Sequence, residues 1–158
     1  LAGFEYFTDE VALLNPEEQA IRPFPIALCS KSHAWKVLDP RLPALQSLPA
    51  YPRLDGKLVK YLPPPGIDVH DASYDRPLPV LYLIFPKYDP DNVTELIPVS
   101  RAEALQRLMV ECLAIRSDFT DETVQLLIDW ISQIECFVLP NNSVDEAVAC
   151  IRQLGGRD

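Results

Sequence analysis

The chain is poor in the residues that phosphate and metal sites usually draw on. Only five glycines, two histidines and one methionine occur among its 158 residues. It contains no GxxxxGK[ST] loop, no GxGxxG turn and no GxSxG elbow, so these residues carry no complete nucleotide cradle and no hydrolase nucleophile. The four cysteines, Cys29, Cys112, Cys136 and Cys150, show no CxxC spacing, and only His33 and His70 could assist them. That argues against structural zinc and for buried free thiols in a reducing, cytoplasmic setting. No apolar run approaches the roughly 20 residues that span a bilayer. Glu5, Asp9 and Glu10 stand where a secretory signal would be basic and then apolar. Positive charge is scarce too. Residues 1–90 hold nine Lys/Arg against eleven Asp/Glu, and residues 91–158 hold five against twelve, so the net charge of −9 sits mainly in the second part. Such a surface repels a polyphosphate backbone, which excludes nucleic acid as a partner.

What remains is a chain with 48% hydrophobic and 23% charged residues, a globular composition of one domain or a fragment of one, residues 1–158. Proline divides it. Fourteen of sixteen prolines fall within residues 1–90, where fixed φ and missing donors disfavour long helices. That β part reads as short strands over 4–7, 10–14, 20–22, 25–29 and 58–62. An irregular connection over 39–56 has room for one helical turn, and the loops at 63–66 and 70–77 are exposed. Residues 91–158 read as an α/β packing unit. PVLYLIFPKY (79–88) is continuous enough for a central strand covered on both faces, with TELIPV (94–99) as its neighbour.

Ser100 with Glu103 predicts a capped helix over 101–115, with Ala104, Leu105, Leu108, Met109 and Cys112 on one face. Thr120 predicts a second helix over 121–134, with Val124, Leu127, Ile128 and Ile131 inward. CFVLP (136–140) reads as a short buried strand. Ser143 with Glu146 opens a last helix through Val144, Ala147, Val148, Ile151 and Leu154, stopped at Gly155-Gly156.

The one chemically suggestive stretch is GFEYFTDEVALLN (3–15), where Asp9 and Glu10 interrupt β-prone runs. Carboxylates at a strand end can hold Mg²⁺ or accept the proton of an attacking hydroxyl. Adjacent strand residues point to opposite faces, so the two would not share one role. A solvated strand end is the competing reading.

The order of segments resembles the part of an HPr serine kinase-related protein that follows its phosphate-binding loop. The resembling segments are GFEYFTDEVALL against G-x-x-x-x-(S/T)-D-(D/E), the proline-flanked RPFPIALCSK, LYLIFPKY against a strand ending FP-(R/K)-Y, and PVSRAEALQRL against (P/V)-S-x-x-E-A-L-x-R-L. They extend over nearly the whole chain, and PVSRAEALQRL is the most specific of them. The resemblance implies a partial phosphoenolpyruvate carboxykinase-like, P-loop-related α/β domain, strand-rich first and helix-rich second, whose phosphate loop lies before Leu1. It implies ATP-dependent phosphorylation of a serine hydroxyl on a protein or peptide substrate, with Mg²⁺ and ATP as cofactors of the intact parent. Asp9 would then hold Mg²⁺ or accept the proton, with Glu10 assisting. Lys31 and Lys87 are candidate phosphate contacts, and solvated surface lysines are the competing and stronger reading.

The chain departs from the pattern in two places. Glu10 stands where the HPr kinases proper have aspartate, and their downstream glycine-rich signature is missing, so HPr is not the expected substrate. The fragment by itself is expected to bind no cofactor, to be inactive and to self-associate through exposed sheet edges. Two alternatives stay open: a non-catalytic peptide-binding or scaffolding module, and an unrelated α/β domain that binds a small molecule.

Overall fold

The computed structural model describes residues 3–15, 18–64, 76–111 and 120–156. The fold is mixed α/β, with several small sheets and five helices among those residues. The chain divides into two compact units. The first takes in Gly3–Leu14 and Ile21–Leu78, the second Asn15–Ala20 and Pro79–Asp158.

In chain order the early elements are β1 (Leu13–Asn15), β2 (Ala20–Arg22), β3 (Leu28–Lys31), a 3₁₀ turn (Ser32–Ala34), α1 (Trp35–Leu38), α2 (Ala44–Ser47), β4 (Tyr51–Pro52), β5 (Leu58–Leu62) and β6 (Leu78–Pro79). Strands β1, β2 and β6 form one sheet in that order. Within the first unit, β3, β5 and β4 form an antiparallel sheet with β5 central, pairing Cys29 with Tyr61 and Ser30 with Lys60. Gly56, at φ +77°, turns the chain between β4 and β5, and the Lys57 amide donates to Asp55 Oδ1 at 3.2 Å. An L residue would be strained at that φ. Lys60 extends its ammonium group to the Leu45 carbonyl at 2.8 Å, 4.8 Å from the centre of the Trp35 ring. Leu45 and Val59 are the most deeply buried side chains of this unit.

The second unit contains β7 (Tyr82–Tyr88), β8 (Ile97–Pro98), α3 (Arg101–Glu111), α4 (Asp121–Ser132), β9 (Glu135–Asn141) and α5 (Val144–Gly155). The sheet order is β7-β9-β8, with β7 parallel to β9 and β8 antiparallel to it. Strand β9 is therefore the middle strand, and Cys136, Phe137 and Leu139 on it are buried. This corrects the expectation for PVLYLIFPKY. The strand starts at Tyr82 and, among the described residues, lies at the sheet edge, with Tyr82–Phe85 half-buried and Pro86–Tyr88 exposed, and Leu81 before it is 60% exposed. Pro86 gives the reason: it cannot donate to a second neighbour, so an edge suits it. The 94–99 segment likewise pairs with β9 rather than with β7.

The helix caps form as their sequences direct. The Glu103 amide donates to Ser100 Oγ at 3.2 Å, the Thr123 amide to Thr120 Oγ1 at 3.2 Å and the Glu146 amide to Ser143 Oγ at 3.5 Å. Helix α4 turns a slightly different face inward from the one expected. Leu127, Trp130 and Ile131 are buried, whereas Ile128 is 41% exposed. Met109 on α3 is 37% exposed, and Cys112 with the rest of the 101–115 helix lies outside the described residues. Most of the loops at 63–66 and 70–77, His70 included, also lie outside them. The expected strand at 4–7 is irregular chain with one isolated bridge, Thr8 to Phe24. The strand expected over 10–14 is confined to Leu13–Asn15. Among the described residues no helix is long and apolar enough to cross a membrane.

Candidate functional site

The acidic pair lies in a bend rather than at a strand end, which corrects the sequence reading of its local structure. The residues before it are fastened alongside residues 24–26. Tyr6 Oη donates to the Ile26 carbonyl at 2.7 Å, the Phe24 amide donates to the Phe7 carbonyl at 3.2 Å, and Thr8 bridges Phe24 in parallel. The chain then turns sharply. Glu10 has φ +27°, rare for a residue with a Cβ, and the Val11 amide donates to the Asp9 carbonyl across it. Thr8 Oγ1 donates to the Val11 carbonyl and lies 3.1 Å from the Asp9 carbonyl.

This turn delivers the Asp9 carboxylate to β3. Asp9 is half-buried, and its Oδ2 accepts the Cys29 amide at 3.2 Å, while Glu10 is exposed. The bond joins residues 20 apart in sequence and fills a donor on the outer edge of β3. Among the described residues Asp9 Oδ1 has no hydrogen-bond partner. Lys31 lies two residues beyond Cys29 on the same strand, about 6.6 Å along it, exposed and paired in register with Val59. Asp9, Glu10 and Lys31 thus belong to one unit. Lys87 is exposed near the end of β7 in the other unit, in register with Pro140.

Between Cys29 and Lys31, Ser30 is only 9% exposed, and its hydroxyl has no hydrogen-bond partner among the described residues. Its carbonyl accepts Trp35 Nε1 at 3.2 Å, which ties the helical turn after β3 to the strand. The sequence offers Cys29, beside Ser30 and Lys31, as a strand cysteine or an activated thiol, and Thr8 only as the hydroxyl position of the resembling segment. Neither reading foresees the contacts that the two residues make with the bend. For Thr8 a signal existed, since a hydroxyl just before an acidic pair is suited to closing a local turn.

Among the described residues, no group of three or more His, Cys, Asp or Glu side chains could hold a metal ion. Mg²⁺ does not need one. It is commonly held by one or two carboxylates together with substrate phosphates. Asp9, with one oxygen anchored and one available, suits that mode.

The second unit has an open cleft of about 430 Å³, lined by residues that include Pro98, Arg101, Glu135, Cys136 and Phe137. Burial pushes the Cys136 thiol above its ordinary pKa, partly offset by the Arg101 guanidinium. The neutral thiol is the form the fold stabilises, so this contribution is whole below about pH 8.5 and is lost as pH rises towards the folded-state value. Cys136→Ala is expected to flatten the alkaline fall in stability. Urea midpoints at pH 7.5 and 10 measure this, and an equal fall in both proteins contradicts it.

Compared with known proteins, the chain matches no family model, no curated protein and no solved structure.

Proposed function

We propose that these residues form the C-terminal part of an HPr kinase-like, ATP-dependent serine kinase with a carboxykinase-like, P-loop-related fold, whose phosphate-binding loop precedes Leu1. The observation that carries the reading is the Asp9 carboxylate, half-buried and held by one oxygen on the Cys29 amide, with the other oxygen available. A strained neighbouring residue supports it. Positive φ at a residue with a Cβ costs about 1–3 kcal/mol, and such strain concentrates at functional sites.

In this reading Asp9 accepts the proton of the substrate serine hydroxyl or holds Mg²⁺. Its fixed rotamer keeps the free oxygen aimed, which avoids an entropic cost at the moment of reaction. Glu10, exposed beside it, orients the metal's water shell or the incoming hydroxyl. Lys31 offsets phosphate charge from the end of β3. Mg²⁺, when bound, supplies neutralisation of charge on the transferring phosphoryl group. The amides and lysine of a phosphate loop are not among these residues, so this segment alone is expected to be inactive.

The alternative, a non-catalytic peptide-binding module, draws support from β7. Its outer edge has no partner strand among the described residues, and an extended peptide could pair there. Transfer of the γ-phosphate from labelled ATP to serine-bearing peptides by the full-length protein decides between them. Mg²⁺-dependent transfer is expected. Peptide binding without any transfer favours the module.

A further inference from the structure

We propose that the open cleft of the second unit binds a free α-amino acid with an apolar side chain, Arg101 taking its carboxylate and Glu135 its ammonium group. The site lies wholly within that unit and does not depend on the kinase reading of Asp9. Its walls come from separate parts of the chain. Strand β8 ends at Pro98, in register with Phe137, and the Val99 amide donates to the Cys136 carbonyl at 2.9 Å. This continued pairing carries Arg101, the first residue of α3, to the start of β9, where Glu135 stands. Ile134 comes from the turn between α4 and β9. Leu154 comes from the end of α5, where its carbonyl accepts Tyr82 Oη at 3.3 Å.

Ile134, Phe137 and Leu154 are buried and give the cleft an apolar floor, whereas Arg101 and Glu135 are exposed beside it. Burial raises the pKa of the Cys136 thiol in the same lining, and the Arg101 guanidinium is near enough to draw it partly back. Among the described residues neither charged side chain has a hydrogen bond or an ion pair, with the other or with a third group. Opposite charges on one cleft, too far apart to pair, fit a ligand that carries both. A guanidinium grips a carboxylate through two parallel bonds, and a carboxylate accepts an ammonium group with the same charge assistance. The two groups also select against simpler ligands. A lone carboxylate meets Glu135 and the excess of twelve Asp/Glu over five Lys/Arg in residues 91–158, and a lone amine meets Arg101. The volume, about 430 Å³, falls within the range of about 300–1,000 Å³ usual for small-molecule sites and leaves room for a branched side chain.

The test titrates leucine into the full-length protein, followed by saturation-transfer NMR. Isocaproate, which is leucine without its amino group, and isoamylamine, which is leucine without its carboxylate, are titrated beside it. Leucine is expected to bind, and each half-ligand to bind at least about tenfold more weakly. Arg101→Ala is expected to weaken leucine roughly 10–100-fold, the worth of a charged hydrogen bond, and to strengthen isoamylamine. Glu135→Gln is expected to weaken leucine to a similar degree and to strengthen isocaproate. Both residues are exposed, so their replacement spares the core, and opposite changes for two ligands cannot come from unfolding. If leucine gives no saturation transfer with the parent protein, the proposal fails. Leucine binding that both variants leave unchanged overturns it too, because the amino acid then sits elsewhere. Equal binding of leucine and isocaproate also overturns it, leaving an anion site in which Glu135 has no part.

Discussion

Asp9→Asn in the full-length protein is expected to lower phosphate transfer by a large factor, whether its free oxygen holds the metal or takes the proton. In the second case the loss is roughly 10²–10⁴-fold, the usual worth of a positioned general base. The fold should survive. The amide oxygen of asparagine can still accept the Cys29 amide, so the 20-residue link between the bend and β3 remains. What is lost is the charge and the basicity of the free oxygen. Glu10→Gln should cost less, since Glu10 is exposed and its backbone conformation is held by neighbours rather than by its own carboxylate. Asp9→Ala differs again. It leaves the Cys29 amide without its partner, at a stability cost of about 1–3 kcal/mol if water does not replace it. Melting curves for the alanine and asparagine variants separate that structural part from the chemical one. If Asp9→Asn transfers phosphate as fast as the parent, Asp9 is a clamp on the edge of β3 and nothing more.

Leu139→Ala should be the costliest change in the second unit, at about 2–5 kcal/mol. Leu139 is 1% exposed on β9, the strand that both β7 and β8 pair with. Truncation there leaves a cavity in the middle of the sheet, where few neighbours can relax into it. Ile97→Ala is the control. Ile97 lies on the two-residue edge strand β8 and is 39% exposed, so its loss should cost under about 1 kcal/mol. Urea unfolding followed by the fluorescence of buried Trp130, in a Trp35→Phe background that removes the other tryptophan, reads this unit directly. Equal midpoint shifts for the two variants would contradict the central place of β9.

The parts of this fold that were legible in the sequence are those set by neighbours in the chain. Ser100, Thr120 and Ser143 cap their helices because the cap oxygen and the amide that donates to it lie three residues apart. The place of β7 is not local, because strand order depends on β9, more than fifty residues later. An apolar run announces burial without saying on how many sides, and Pro86 was the residue that argued for an edge. Helix α4 misled by one position. Trp130 is buried and Ile128 is not, a rotation of the inward face that goes with the packing of α4 against α3.

The candidate site divides along the same line. The carboxylates of Asp9 and Glu10 stand out in the sequence, set between apolar runs. The bond from the Cys29 amide and the positive φ of Glu10 are consequences of the bend, and no residue pattern encodes a side chain reaching a strand 20 positions away.

The central claim is that the free oxygen of Asp9 takes the metal of a phosphoryl-transfer site. The most direct measurement is the anomalous scattering of Mn²⁺ in crystals of the full-length protein grown with ADP. A peak within coordination distance of Asp9 Oδ1, with Oδ2 still on the Cys29 amide and the ion shared with the nucleotide's phosphates, is the result predicted. An ion on the nucleotide that is held by other residues, with neither Asp9 nor Glu10 facing it, would contradict the claim.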